Sequence, residues 1–157
     1  MNYTIIKGDL TKAIEDFIIH QVNCKGIMGS GVALAIRNEF PMVYREYIEM
    51  CKPYKYSNTQ QLLGRVQYVQ VYNQDNIKAP FYCINMFSQD GIGYNRQHTD
   101  ISAMQNCLLD ININCKERTV AFPWKVGCVR GGADWDKVLP LITNTLTDVK
   151  AIVLYNI

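Results

Sequence analysis

The chain has 157 residues, a length that fits one domain able to bury its own core without disulfides or a structural metal. Its hydrophobic fraction of 48% and charged fraction of 19% are ordinary for a soluble globular protein. The net charge is only +2, from 16 basic and 14 acidic residues, so charge alone gives no indication of a polyanion-binding surface.

Short apolar strands alternate with helical patterns along the chain, which predicts an α/β fold in one domain spanning residues 1–157. The patterns predict strands at residues 2–7, 17–23, 62–72, 80–87, 118–123 and 150–157. The second strand contains the nearly continuous apolar run Phe17, Ile18, Ile19 and Val22. Such a run is typical of a central strand covered on both faces.

Apolar residues at helical spacing predict four helices, at residues 31–40, 41–51, 100–112 and 134–146. Pro41 suits the first position of the second helix, and Asp134 or Asp136 suits the N-terminus of the fourth. A long polar loop is expected at residues 88–100, with a turn at residues 75–80. A loop of this length between packed elements is more often functional than not.

Two glycine-rich segments each follow an apolar strand and precede a helix: "CKGIMGSGVA" at residues 24–33 and "KVGCVRGGAD" at residues 125–134. Glycine lets successive N–H groups point at one place, and the helix N-termini behind the loops favour phosphate. Because both loops follow strands, we expect them at the carboxyl edge of the sheet with a pyrophosphate between them. Ordinary strand-to-helix turns are the alternative.

The glycine pattern matches neither of the common nucleotide motifs. The lysine and hydroxyl residue that end a P-loop are absent, which argues against ATP or GTP hydrolysis. Gly29 and Gly31 supply two glycines of the dinucleotide fingerprint, but Leu34 stands where the third belongs. The sequence shows no carboxylate cluster for magnesium. The expected ligand is therefore a diphosphate held by backbone donors, with no metal and no cofactor.

Four polar side chains near strand ends are candidate binding or catalytic groups. Asn23 has an amide that suits a sugar diol, although strand-end asparagines often bond their own backbone. His20 is either functional or a satisfied core histidine. Asp9 could accept from a ligand amine or only cap a turn, and Tyr155 could stack on a base or simply end its strand.

The six cysteines include no CxxC pair, and several lie in apolar surroundings. We expect reduced thiols without disulfide partners, no zinc site and a cytoplasmic protein. No signal peptide is recognisable, and no apolar run approaches the roughly 20 residues that a membrane span needs. Cys24 and Cys128 lie in the two glycine loops, where a stabilised thiolate could act as a nucleophile.

The chain resembles the macrodomains, the ADP-ribose-binding family once named for Appr-1″-p processing. The motifs that carry the resemblance run in order along the chain: "GDL", "HQVNCKGIMGSGVA", "LLGRVQ", "NMFSQDGIG", "FPWKVGCVRGGADW" and "VLYNI". It is most similar to the compact branch with the yeast-type ADP-ribose 1″-phosphate phosphatase, phage-encoded relatives and the terminal ADP-ribose glycohydrolase. The resemblance implies a three-layer α/β/α fold with a mixed central sheet.

The resemblance also assigns roles to residues. Asp9 would accept from the adenine amine with Leu10 beside it, and Tyr155 would pack against the adenine. Asn23 would hold the distal ribose hydroxyls. His20 matches a histidine of the yeast-type phosphatase to which a catalytic role is ascribed. The remaining ligand contacts would come from the first phosphate loop, the second phosphate loop and the end of the "NMF" strand: Gly29, Ser30, Gly31, Val32, Gly127, Cys128, Val129, Arg130, Gly131 and Phe87.

Two departures from the glycohydrolases in this family bear on the reaction. Those enzymes have a lysine after the strand matching "YCINMF" and an aspartate in the second loop, whereas this chain has "SQDG" and "CVRGG". The resemblance therefore implies hydrolysis of ADP-ribose 1″-phosphate, and Arg130 could grip its terminal phosphate. The alternatives are removal of ADP-ribose from modified macromolecules, and a binding module for ADP-ribose or cyclic signalling nucleotides without catalysis.

Overall fold

The structure is a computed structural model that describes residues 3–54, 58–71, 81–91, 97–129 and 131–157. The strands are β1 (Thr4–Lys7), β2 (Phe17–Asn23), β3 (Val66–Gln70), β4 (Tyr82–Gln89), β5 (Thr119–Pro123) and β6 (Ala151–Asn156). The helices are α1 (Gly31–Glu39), α2 (Pro41–Cys51), α3 (Ile101–Asn114) and α4 (Trp135–Thr145). Within the described ranges, no helix is long and apolar enough to cross a membrane.

The six strands form one mixed sheet in the order β1-β6-β5-β2-β4-β3, in which only β3 runs antiparallel to its neighbour. Alternate residues of β2 point to opposite faces. Ile18 and Val22 pack in a core with α1 and α2, while Ile19 packs in a second core with α3 and α4. The predicted mixed sheet between helices is therefore confirmed.

The local pattern predicted some elements to the residue and missed others. The bounds predicted for β2 and α2 match those observed, and Asp134 caps α4 by accepting from the Asp136 N–H at 3.0 Å. The prediction that a loop begins at residue 88 was wrong, because β4 continues through Ser88 to Gln89. Ser88 tolerates full burial there because its Oγ donates to Gln21 Oε1 at 2.7 Å. The turn predicted at residues 75–80 lies outside the described residues.

The parallel strands bring the ends of β2, β4, β5 and β6 to one edge of the sheet. Asn23 pairs with Gln89 at the ends of β2 and β4, and Pro123 pairs with Tyr155 near the ends of β5 and β6. Both glycine-rich segments leave the sheet at this edge, since they follow β2 and β5. The topology therefore creates the crevice in which α/β proteins commonly bind ligands.

Candidate functional site

A cavity of about 520 Å³ lies between the two glycine loops at the carboxyl edge of the sheet. The predicted site residues that line it are His20, Asn23, Gly29, Ser30, Gly31, Val32, Gly127, Val129 and Gly131. Lining residues that the sequence analysis did not single out include Gln21, Gln89, Pro123, Trp124 and Lys125. The volume falls within the range of small-molecule pockets. The expected cleft between the loops is therefore present.

The first glycine loop is held by the buried hydroxyl of Tyr47 on α2. This oxygen accepts from the N–H groups of Gly26 and Ile27, each at 3.1 Å. It lies 2.7 Å from the Asn23 carbonyl and 2.9 Å from Asn23 Oδ1, either of which can accept its proton. Gly26 has a φ of +79°, a conformation that glycine adopts without strain. One side chain from another element thus sets the path of the loop.

The Asn23 side chain also organises the first loop from within. Its Oδ1 accepts from the Lys25 N–H at 2.9 Å, and its Nδ2 donates to the Ile27 carbonyl at 2.7 Å. The side chain therefore makes the local backbone bonds that the sequence analysis gave as an alternative to sugar binding. An amide nitrogen has two N–H groups, and these contacts use only one of them. Asn23 lines the cavity, so we expect a bound ligand to accept from its second N–H.

The second glycine loop is anchored through a buried polar network around Gln21. Gln21 Nε2 donates to Gln89 Oε1 and to Thr99 Oγ1, both at 2.9 Å, and Thr99 Oγ1 donates to the Gly127 carbonyl at 2.8 Å. Gly131 packs directly on this network, since a Cβ there would overlap Thr99 Oγ1 and lie 2.7 Å from Gln21 Nε2. Residue 131 must be glycine because a side chain would not fit there. A left-handed backbone is not the reason, since the φ of Gly131 is not positive.

The electrostatics of the cavity favour an anion. Among the described lining residues, Lys125 is the one full charge, and no carboxylate is present. Lys125 is exposed, and its φ of +59° belongs to the sharp turn of the second loop. The N-terminus of α1 begins at Gly31 in the cavity wall and adds the positive end of a helix dipole. A diphosphate is therefore electrostatically matched to this space.

His20 lies on the cavity wall but is only 1% exposed. Its Nε2 is 2.6 Å from Asn85 Oδ1, and its Nδ1 has no hydrogen-bond partner within the described part of the chain. Burial lowers the pKa of His20 to about 4, although the bond to Asn85 partly opposes that shift. The imidazole is therefore neutral near pH 7.

The two loop cysteines are poorly suited to nucleophilic catalysis. Burial raises the pKa of Cys24 to about 12, and the nearby Asp90 charge acts in the same direction. Burial also raises the pKa of Cys128 to about 11, with a contribution from Asp134, and Cys128 Sγ lies 3.6 Å from the Val126 carbonyl. Neither thiol is ionised near neutral pH, so the cavity presents no thiolate from these residues.

Several predicted residues lie beside the cavity and not in its lining. Asp9 caps a 3₁₀ turn at Leu10–Lys12, where its Oδ1 accepts from the Thr11 N–H at 2.9 Å and the Thr11 hydroxyl at 2.8 Å. Leu10 is the first residue of this turn and is buried in the core. Tyr155 is 8% exposed and its hydroxyl donates to Glu15 Oε1 at 2.7 Å.

Phe87, which the resemblance places against the distal ribose, is fully buried in β4. Its ring stacks on Tyr47 with centroids 5.8 Å apart, on the side of the sheet that carries α2. It therefore supports the hydroxyl that holds the first loop. Cys128 is half-buried in the second loop outside the lining, and Arg130 lies outside the described residues.

Comparison with known families identifies the fold. The Macro domain family profile matches residues 19–142, which include both glycine loops and most of the sheet. This chain belongs to the Macro domain family. The resemblance found in the sequence is thereby confirmed.

Curated relatives of this Macro domain carry two different names. The ADP-ribose 1″-phosphate phosphatase of Meyerozyma guilliermondii is 32% identical over 107 residues, covering 64% of this chain and 59% of the relative. The DNA ADP-ribosyl glycohydrolase of Thermus aquaticus is 26% identical over 150 residues, covering 94% of this chain and 38% of the relative. The chain thus spans less than two thirds of the length of either relative.

A solved structure supports the same assignment. The macrodomain of Mycobacterium tuberculosis DarG superposes with a TM-score of 0.76 at 25% sequence identity, covering 99% of both chains. The three-layer arrangement of this Macro domain is therefore that of known macrodomains.

Sequence reasoning missed the residues that shape this Macro domain site from a distance. Tyr47 was part of a predicted helix, and Gln21 was part of a predicted buried strand. Nothing in their local pattern indicates contact with the glycine loops. Trp124 and Lys125 directly follow a predicted strand at the expected cavity edge, so their position could have identified them.

Proposed function

We propose that this Macro domain binds ADP-ribose and hydrolyses ADP-ribose 1″-phosphate to ADP-ribose and inorganic phosphate. The observation that carries the proposal is the convergence of both glycine loops, Asn23 and His20 on one cavity whose described lining bears a single, positive charge. The names of the phosphatase and glycohydrolase relatives support ADP-ribose as the common ligand.

The fold suggests the direction in which the ligand lies. Tyr155 pairs with Pro123, and the Tyr155 carbonyl accepts from the Trp124 N–H at 2.9 Å. Because Pro123 and Trp124 line the cavity, Tyr155 is adjacent to that end of it. In our proposal the adenine lies at that end, near Asp9, Leu10 and Tyr155. The diphosphate then lies between the two loops, and the distal ribose reaches Asn23.

The proposed reaction needs a positioned water and stabilisation of developing charge. The water oxygen attacks phosphorus and the bond between phosphorus and the ribose 1″-oxygen breaks. The water loses one proton and the departing ribose oxygen gains one, so that the products are inorganic phosphate and the ribose hydroxyl of ADP-ribose. Backbone N–H groups of the two loops would stabilise charge on the phosphoryl oxygens. Because His20 is neutral near pH 7, it would act as a hydrogen-bond acceptor that orients the water, and Asn23 would fix the ribose.

The test is release of inorganic phosphate from ADP-ribose 1″-phosphate by the wild type, Asn23→Ala and His20→Ala. The proposal expects turnover in the wild type and a loss in both variants. Leu109→Ala on the exposed face of α3 is the matched control and should keep wild-type turnover. A wild type that binds ADP-ribose but releases no phosphate would refute the phosphatase and leave a binding module or an enzyme that removes ADP-ribose from modified macromolecules.

A second candidate is removal of ADP-ribose from a modified macromolecule. Val129 and Ile27 line the cavity and are 71% and 45% exposed, so they form an apolar rim that a larger substrate could contact. The match to the Thermus DNA ADP-ribosyl glycohydrolase over 94% of this chain supports the same candidate. A gel assay with ADP-ribosylated DNA and protein separates it from the phosphatase.

We also propose a reducing, cytoplasmic setting for the protein. Cys24, Cys51, Cys83, Cys107 and Cys115 are buried free thiols, an arrangement that suits small apolar side chains in a reducing compartment. Fractionation of source cells with an antibody to the protein tests the location.

A further inference from the structure

A series of side-chain hydrogen bonds runs from helix α2 across neighbouring strands, on one face of the sheet, to His20. Gln67 Nε2 on β3 donates to the Glu46 carbonyl of α2 at 2.8 Å. Asn85 Nδ2 on β4 donates to Gln67 Oε1 at 2.9 Å, and Asn85 Oδ1 lies 2.6 Å from His20 Nε2. Asn85 is fully buried, so its bond to His20 is shielded from water, whereas the bond of Gln67 to the Glu46 carbonyl is exposed.

The direction of every bond in this series is fixed at its outer end. The Glu46 carbonyl can only accept, so the NH₂ group of Gln67 must face it. Gln67 then presents its oxygen to Asn85, and Asn85 turns its own oxygen toward His20. That oxygen can only accept, so His20 Nε2 must carry a proton.

A neutral imidazole with a proton on Nε2 has an unprotonated Nδ1. This nitrogen is buried and has no partner among the described residues, while the His20 ring lines the cavity. A buried acceptor without a partner is costly, and such groups usually meet a ligand or an ordered water. The ring is neutral because burial lowers its pKa to about 4.

We propose that Gln67 and Asn85 are positioning residues that hold His20 in its Nε2–H tautomer and so present Nδ1 as a hydrogen-bond acceptor to a hydroxyl group or water in the cavity. The proton on Nε2 follows from the hydrogen-bond geometry, and the unprotonated Nδ1 follows from the neutral state of the buried ring. Its use in orienting a substrate group or the attacking water rests on the proposed function.

The tautomer is measured directly by ¹⁵N NMR of the histidine rings at pH 7. The sequence contains only two histidines, so His20→Gln assigns the signals. We expect His20 to show a protonated Nε2 and an unprotonated Nδ1 in the wild type. A protonated Nδ1 would overturn the proposal.

Gln67 is only half-buried, so its substitution can be tested in a folded protein. In Gln67→Leu the Asn85 amide loses the acceptor that fixes its orientation, and we expect a mixture of both His20 tautomers. Gln67→Glu loses the bond to the Glu46 carbonyl, because a carboxylate cannot donate, but it keeps an acceptor for the Asn85 NH₂ group and should therefore retain the single Nε2–H tautomer. Gln70→Leu makes the matched change at an exposed position of the same strand and should leave the ring signals unchanged. A single wild-type tautomer in Gln67→Leu would overturn the positioning role.

The functional consequence is measured separately on the same proteins. We expect Gln67→Leu to lower kcat for phosphate release about fivefold, with a smaller change in KM. A change of about fivefold corresponds to the loss of one hydrogen bond from Nδ1 to the reacting water or hydroxyl group. Gln67→Glu should recover most of that loss. Equal kcat in Gln67→Leu and the wild type would overturn the use of Nδ1 in the reaction. A wild type without turnover would refute the phosphatase, whereas the NMR result would still decide the tautomer.

Discussion

The hydroxyl group of Tyr47 offers the sharpest test of how the first glycine loop is held. In Tyr47→Phe the ring still packs against Phe87, so the apolar contacts of α2 are preserved. The substitution removes only the oxygen that accepts from the Gly26 and Ile27 N–H groups and bonds to Asn23 and Cys51. Any effect is therefore assignable to these hydrogen bonds.

The expected cost follows from the partners that the hydroxyl leaves behind. The Ile27 N–H keeps a long contact of 3.4 Å to Asn23 Oδ1, whereas the Gly26 N–H keeps only the Cys51 sulfur, a weak acceptor. One partly buried donor left with a weak acceptor, together with the lost bonds to Asn23 and Cys51, costs about 2 kcal/mol. For a chain of this size that loss lowers the Tm by about 6 °C. We expect ADP-ribose binding to weaken about tenfold, because the loop must be reordered on binding.

Thermal unfolding and calorimetric titration with ADP-ribose measure the two effects. Tyr44→Phe on the same helix is the matched control, because its ring keeps the contact with Arg37, whose guanidinium carbon lies 3.7 Å from the ring centroid. Wild-type stability and affinity in Tyr47→Phe would refute the reasoning that this hydroxyl sets the loop.

Three further predictions concern the second loop, the cavity charge and the buried histidine. Gly131→Ala should destabilise the fold by about 3 kcal/mol through overpacking, whereas Gly29→Ala should stay within about 0.5 kcal/mol, since its nearest new contact is 3.8 Å. Lys125→Ala should weaken ADP-ribose binding about threefold, with less effect at high salt, and Lys150→Ala should not. As pH falls from 6.5 to about 4, His20 should lower the free energy of unfolding by about 3 kcal/mol. The reason is that the imidazole becomes protonated at a higher pH in the unfolded chain than in the folded protein.

Each of these predictions has an outcome that contradicts it. Equal urea midpoints for the two alanine variants would show that the second loop is not tightly packed on its polar network. Equal affinity losses in both lysine variants would point to a general charge effect, because Lys150 lies at the opposite edge of the sheet from the cavity. A His20→Gln variant with the same acid sensitivity as the wild type would show that other groups cause it.

The parts of the fold that local pattern determines were predictable from the sequence. β2 is apolar on both faces because it is central, and Pro41 begins α2 because a missing N–H costs nothing at the first helical position. The edge at which both glycine loops meet was predictable because each loop directly follows a predicted apolar strand. These features depend on neighbours in sequence.

The site residues that the sequence did not indicate depend on contacts between distant segments. Tyr47 is separated from Asn23 by 24 residues, and Gln21 is separated from Thr99 by 78. Phe87 was expected in the site because of the family resemblance, but β4 places its ring in the core beside Tyr47. The face of the sheet on which a strand residue lies is set by the register with neighbouring strands, which a single sequence segment does not specify.

The central claim is that ADP-ribose binds between the two glycine loops, and amide NMR during titration with ADP-ribose tests it most directly. We predict saturable shifts concentrated at residues 23–33 and 124–129, with little change at the Arg118–Lys150 end of the sheet, where the Lys150 N–H donates to the Arg118 carbonyl. The absence of saturable shifts, or shifts confined to the opposite edge, would contradict the account.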